Sequence, residues 1–159
     1  MPARYFASGE QTLVATADSA ISLVSNTSVQ RNWVYEINLA NNGTPADLVS
    51  IYLIGKVTAG GSGTSVVGSL LDEADQAAQA LVLSNLTSEP TYQNTIVALS
   101  TPAVGDLLRI GLNHRGTYRW VAPPGGEFVT PAVAGDGIGG KADHASAVTN
   151  YMIGCHWNE

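Results

Sequence analysis

Apolar and polar positions alternate with a period of two along most of the chain. In Arg31-Asn32-Trp33-Val34-Tyr35-Glu36-Ile37-Asn38-Leu39, the residues Trp33, Tyr35, Ile37 and Leu39 fall on one face. Asn32, Glu36 and Asn38 fall on the other, with Val34 as the exception. This alternation predicts a half-buried strand. Residues 49–58 repeat it with Val49, Ile51, Leu53 and Val57, while Tyr52 and Ile54 on the opposite side predict cover on both faces. Residues 106–112 and 117–121 flank Asn113-His114-Arg115-Gly116, a glycine-containing connection of the length that closes a hairpin. Residues 148–157 read as a last strand, and weaker strands are expected at 11–16, 20–25, 95–100 and 127–130.

One segment departs from the period. Residues 72–81 are rich in helix formers, carry Asp72, Glu73 and Asp75 in the first turn, and place Ala74, Ala77, Ala78 and Leu81 on one face. Acids near a helix N-terminus are favourable, so a short surface helix is expected. Glycine and proline punctuate the rest, as at Asn42-Gly43-Thr44-Pro45 and Pro123-Pro124-Gly125-Gly126. About eight short strands with one minor helix predict an all-β chain, an antiparallel β-sandwich of jelly-roll type. The 159 residues suit one domain, expected over 12–159 behind an N-terminal segment 1–11. No internal repeat points to a propeller or solenoid.

Charge changes the picture. Only 13% of residues are charged, about half the usual share, so the polar surface is built from Ser, Thr, Asn, Gln and Gly. Such a surface suits a packed assembly, because charged residues are depleted from interface cores. The net charge of −6 argues against a nucleic-acid groove or a lipid-binding basic patch as the main function. No apolar run approaches a membrane span, and the first ten residues lack a secretory pattern. The one cysteine, Cys155, excludes an internal disulfide framework, and cytoplasmic synthesis and assembly are expected.

Candidate chemistry is sparse. The acids near Asp72 lack the ligand array of a calcium loop, and their dipole role at a helix start is the better reading. His114, His144 and His156 have no metal-type spacing to one another or to Cys155, so neither metal nor cofactor is expected. His114 reads as a solvated turn residue. Cys155 and His156 are adjacent in a strand, point to opposite faces and cannot form a nucleophilic pair. Residues 135–140 resemble a phosphate loop in glycine spacing but lack the following Lys-Ser/Thr, leaving a wide glycine loop as the reading. Trp33, Tyr35, Tyr118 and Trp120 are candidates for a sugar platform, although their alternation with polar residues favours core packing. No Ser/His/Asp or two-carboxylate set supports a hydrolase, and no enzymatic function is expected.

The stretch Leu112-Asn113-His114-Arg115-Gly116-Thr117-Tyr118-Arg119-Trp120-Val121-Ala122-Pro123-Pro124-Gly125-Gly126-Glu127-Phe128, continuing to Gly139, resembles a group of small tailed-bacteriophage virion proteins that decorate or cement the head. Gly43-Thr44-Pro45-Ala46-Asp47, Leu71-Asp72, Thr87-Ser88-Glu89-Pro90-Thr91-Tyr92 and Ala15-Thr16-Ala17-Asp18 add to the resemblance in the same order. The group often has Asn-Gln-Arg-Ala-Thr at positions 113–117, and prolines after Asp72 that are missing here. The resemblance implies a jelly-roll sandwich that sits in many copies on the outer capsid surface, as a homotrimer bound to the major capsid protein. It identifies no binding residues. The expectation is therefore a non-enzymatic decoration protein that stabilises the expanded shell, with a carbohydrate-binding or host-recognition module of a fibre or tail as the alternative. Arg4, Tyr5 and Phe6, which bring apolar and cationic side chains to a chain end, are the expected capsid or oligomer contacts.

Overall fold

A computed structural model describes residues 2–13, 19–41, 47–93, 105–143 and 149–159. Among them lie thirteen strands and no helix. They are β1 (Arg4–Leu13), β2 (Ser19–Val24), β3 (Trp33–Asn41), β4 (Val49–Ala59), β5 (Ser62–Val66), β6 (Ser69–Leu70) and β7 (Leu81–Ser88). They continue with β8 (Thr91–Tyr92), β9 (Asp106–Asn113), β10 (Thr117–Val121), β11 (Phe128–Val129), β12 (Gly137–Asp143) and β13 (Thr149–Asn158). One sheet has the order β10-β3-β13-β1-β6, with β11 also on β3. The second has the order β5-β7-β2-β12-β4-β8, with β9 also on β4. Every pairing is antiparallel, and the two sheets pack into a β-sandwich.

The pairings nest. β1 pairs β13, β2 pairs β12, β3 pairs β10 and β4 pairs β9, and successive pairs alternate between the two sheets. The hairpin expected of 106–112 with 117–121 therefore does not form: β9 and β10 each find a partner in a different sheet, and 113–116 crosses between the layers. Strands β5 to β8 form an excursion between β4 and β9 that extends both sheets. Between the layers lie Tyr5, Ile37, Leu39, Ile54, Tyr151, Ile153 and Trp157, all essentially inaccessible. Tyr5 stacks on Trp157 with ring centroids 5.5 Å apart, and Tyr52 meets Tyr151 edge-on at 5.8 Å. Such pairs add to the large apolar area that aromatic residues bury. Two glycines allow close backbone approach, Gly9 between the sheets and Gly137 between β12 and its neighbour β2 within the second sheet. A Cβ on Gly9 would lie 2.0 Å from the Ala20 carbonyl oxygen, and one on Gly137 would lie 2.0 Å from that of Leu23.

The expected helix over 72–81 is replaced by turns and extended chain. Asp72 starts a turn by accepting the Ala74 N–H at 3.0 Å, and its carbonyl accepts the Asp75 N–H at 3.0 Å. The groups a helix would bond internally are used elsewhere. The Gln76 carbonyl takes the Tyr5 hydroxyl at 2.8 Å, while the Gln79 and Ala80 N–H groups donate to the Glu159 carboxylate at 2.8 and 2.9 Å. Tertiary bonds thus override local propensity.

The expected boundary between residues 11 and 12 falls inside β1, which pairs with β13 along its whole length. The segment 1–11 is therefore largely sheet. The phase of β3 also differs from the period read along the sequence. Val34, Ile37 and Leu39 are buried, while Trp33 is exposed and Tyr35 half-exposed. The register against β13 shifts between His156 and Trp157, so Tyr35 is the extra residue of a bulge, as two residues on one strand oppose one on the other. The weak strand expected at 95–100, residues 14–16 of the one expected at 11–16, and His144 lie outside the described residues.

Candidate functional site

One end of the sandwich gathers most of the exposed apolar side chains. It is formed by the starts of β1 and β3, the ends of β10 and β13, and the connections 25–32, 71–80 and 130–136. Val29 is 86% exposed and Trp33 38%, and Val121, Val129, Val133, Leu70 and Leu71 are exposed at the same end. Leu48 and Val49, by contrast, are exposed at the opposite end. Trp33 separates two clefts. The larger, of about 520 Å³, is lined by Val29, Arg31, Tyr5, Ala77 and Glu159 among others. The smaller, of about 300 Å³, is lined by Pro2, Glu127 and Asn158. Val29 and Trp33 share the wall of the larger cleft, so at least these two exposed apolar side chains are neighbours.

The loops that carry these side chains are held from beneath. Thr130 Oγ1 accepts the Asn32 N–H at 2.9 Å and the Asn32 Nδ2 at 3.1 Å, and pairs with Ser25 Oγ at 2.9 Å. Gln30 Nε2 donates to Asn32 Oδ1 at 3.0 Å, and Ser25 Oγ donates to the Pro131 carbonyl at 2.9 Å. Ser25, Gln30, Asn32 and Thr130 are all buried. Interlinked buried polar groups rigidify what they support, so Val29 and Trp33 are presented on a fixed frame. On the other flank the Glu159 carboxylate fixes 79–80 and also accepts the Trp157 indole N–H at 3.1 Å. Burial first, then the nearby Glu159 and Asp75 carboxylates, raises the Tyr5 hydroxyl pKa, which keeps it a donor.

The expected contact residues separate. Tyr5 is 2% exposed and belongs to the core, reaching the surface only at the wall of the larger cleft. Arg4 is exposed, and its backbone joins the 71–80 connection through the Leu71 N–H bond to its carbonyl at 3.0 Å. Phe6 is half-exposed on the outer face of the first sheet, where its ring lies 4.6 Å from that of His156. Next to them Arg119 grips the Glu36 carboxylate with two bonds of 2.7 and 2.6 Å, and Asn38 donates to it at 3.3 Å. The Arg119 bonds, with lesser help from Asn38 and His156 against the opposing effect of burial, hold the Glu36 carboxyl below its usual range. Burial lowers the His156 pKa against the pull of Glu36.

The remaining sequence candidates are mostly structural. His114 is buried, not solvated: its Nε2 bonds Ser50 Oγ, also buried, and its N–H donates to the Leu48 carbonyl at 2.9 Å. Cys155 faces the core, as its opposition to His156 predicts, and burial pushes its thiol up to about 12. A neutral, enclosed thiol is unreactive. Tyr118 and Trp120 pack against the core, with Trp120 stacked on Phe128 at 4.1 Å, so of the four platform candidates only Trp33 and Tyr35 turn outward. Residues 137–140 are strand rather than loop, and Gly139 lies directly beneath the Tyr92 hydroxyl.

Sequence reasoning missed one cluster. Ser19 bonds Glu89 through both its N–H, at 2.6 Å, and its hydroxyl, at 2.7 Å, and meets the Tyr92 hydroxyl at 2.9 Å. Lys141 Nζ lies 4.6 Å from the Tyr92 ring centroid. Ser19 and Lys141 are buried, so this cluster ties 89–92 onto the second sheet instead of meeting a substrate. Only the glycines at 55 and 139, on which the Tyr92 ring rests, offered a signal. No group of three or more His, Cys, Asp or Glu able to hold a metal occurs among the described residues. Comparisons of the chain with family models, curated proteins and solved structures give no match.

Proposed function

We propose that the chain is a non-enzymatic virion protein that decorates the outer surface of a tailed-phage head, bound to the major capsid protein in many copies. The observation that carries this reading is the apolar end around Trp33, held rigid by buried polar bonds on a protein otherwise poor in charge. A pre-ordered apolar surface loses little conformational freedom on docking. Repetition over equivalent shell sites then makes modest single contacts tight overall. Attachment to the expanded shell stabilises that state by mass action, because only it offers the site.

The resemblance of residues 112–139 to head-decorating proteins points the same way. We also read the sandwich as a jelly roll, and as a homotrimer on the shell. The jelly-roll reading is supported by the four nested strand pairs that alternate between the sheets. The contact surface moves from the expected Arg4, Tyr5 and Phe6 to Trp33, Val29 and Val129, since Tyr5 is in the core. Cosedimentation with undecorated heads tests the reading: saturable binding at a symmetry-consistent copy number, on expanded heads only, is expected. Failure to bind either form overturns it.

A second reading, a glycan-binding module, is favoured by a single observation. Trp33 is exposed beside the cleft that Glu127 and Asn158 line, and aromatic faces next to polar groups suit sugars. It predicts that the tryptophan fluorescence changes on adding glycans, whereas an array without hits counts against it.

A further inference from the structure

β5 (Ser62–Val66) is the outermost strand of the second sheet. It pairs β7 on one side and no described strand on the other. Unprotected edges are rare because a free row of N–H and C=O groups is a template for another strand. Proteins blunt them with lysine, proline or a very short strand. The other described edges carry such devices. β6 has two residues; β10 bears Arg119 and runs on to Pro123-Pro124; β9 bears Asp106 and Arg109, paired at 2.7 Å. β5 has no lysine or proline; its register against β7 shifts between Ser62 and Thr64, and pairing is regular over Thr64–Val66. No charged residue or proline occurs between Lys56 and Asp72, and Ser62, Thr64, Ser65 and Val67 are exposed.

We infer that β5 is a self-association edge, pairing antiparallel with β5 of a second copy across a two-fold axis so that the seven-stranded sheet continues from one molecule into the next. The neutral edge permits a second copy as the occupant, and its self-complementarity favours one. At −6 per chain two copies repel over most of their surface, and like charges facing across strands are unfavourable. The neutral 57–71 stretch is where close approach meets no such penalty. An antiparallel strand is also complementary to itself, so one surface serves both partners, as a two-fold contact requires. Short side chains at Ser62, Gly63, Thr64 and Ser65 leave the backbone open to a partner. The contact is separate from the Trp33 end and does not depend on the decoration reading; a homotrimer built through other surfaces and joined through β5 gives a hexamer, an even number of chains.

The test is the mass of the full chain in solution by light scattering over a wide concentration range, with Ser65→Lys compared. The wild type is expected to reach twice the 16.5 kDa chain mass, or an even multiple of it, with concentration. Ser65→Lys, which puts a charge on the edge of each copy, is expected to weaken association at least about tenfold while leaving the unfolding midpoint unchanged. A wild-type mass of one chain at every concentration, an odd-numbered assembly, or an even one that Ser65→Lys leaves intact overturns the inference. Should that variant fold poorly, hydrogen exchange of the wild type decides. Protection at amides 62–66 that rises with concentration is expected, and protection independent of concentration refutes the pairing.

Discussion

Gly9 sets the spacing of the two sheets where β1 meets β2, because it faces the Ala20 carbonyl oxygen where a methyl group does not fit. Gly9→Ala is expected to cost about 1–3 kcal/mol or more, as overpacking against backbone does. Gly125, at φ +79° with open space around it, is the contrast: Gly125→Ala should cost only the left-handed backbone strain of about 1–2 kcal/mol. Urea unfolding of both variants measures the difference. Cys155 yields a kinetic prediction. Burial keeps its thiol neutral, so a thiol reagent should label it only as fast as the chain opens, and rapid labelling of the native protein would contradict its placement. Glu36 and His156 together predict the acid response. His156 has a folded pKa below its unfolded value of about 6.5, so the unfolded chain takes up the proton first and stability falls as pH drops below that value. Glu36 is likewise depressed; its contribution is complete above about 4.3 and is lost as pH falls through the folded value. His156→Gln should flatten the upper part of the curve of stability against pH, and Glu36→Gln the lower part.

Among the elements, the 71–80 connection shows what sequence can and cannot carry. Its composition favours a helix, and nothing local signals that Glu159, distant along the chain, takes the Gln79 and Ala80 N–H groups. Glu159→Ala is expected to destabilise the protein by about 1.5–3 kcal/mol, the range for bonds to a charged group, and to speed hydrogen exchange at 79–80. Unchanged exchange there would mean that the connection is held otherwise. The strands themselves were legible from period two, as 106–112, 117–121 and 148–157 illustrate. β3 was legible as a strand but not in phase, because the bulge at Tyr35 depends on its partner β13. That shift turns Trp33 and Tyr35 outward, and so it hid the candidate site. His114 was hidden in a similar way: its neighbours in the 113–116 connection are polar, and its burial depends on Ser50 in β4.

At the scale of the molecule, a rigid sandwich presents an apolar end and a neutral edge on an acidic, lightly charged body. The low charge was visible in composition; its arrangement was not, since it depends on which loops share an end of the fold. The central claim is that the Trp33 end docks on a phage head. The most direct measurement is cosedimentation with expanded, undecorated heads of three folded proteins: the wild type, Trp33→Lys and, from the opposite end, Leu48→Lys. Saturable binding of the wild type and Leu48→Lys, with Trp33→Lys weakened at least about a hundredfold as expected for an aromatic anchor, is predicted. Equal binding of wild type and Trp33→Lys, or no binding of the wild type, would contradict the account.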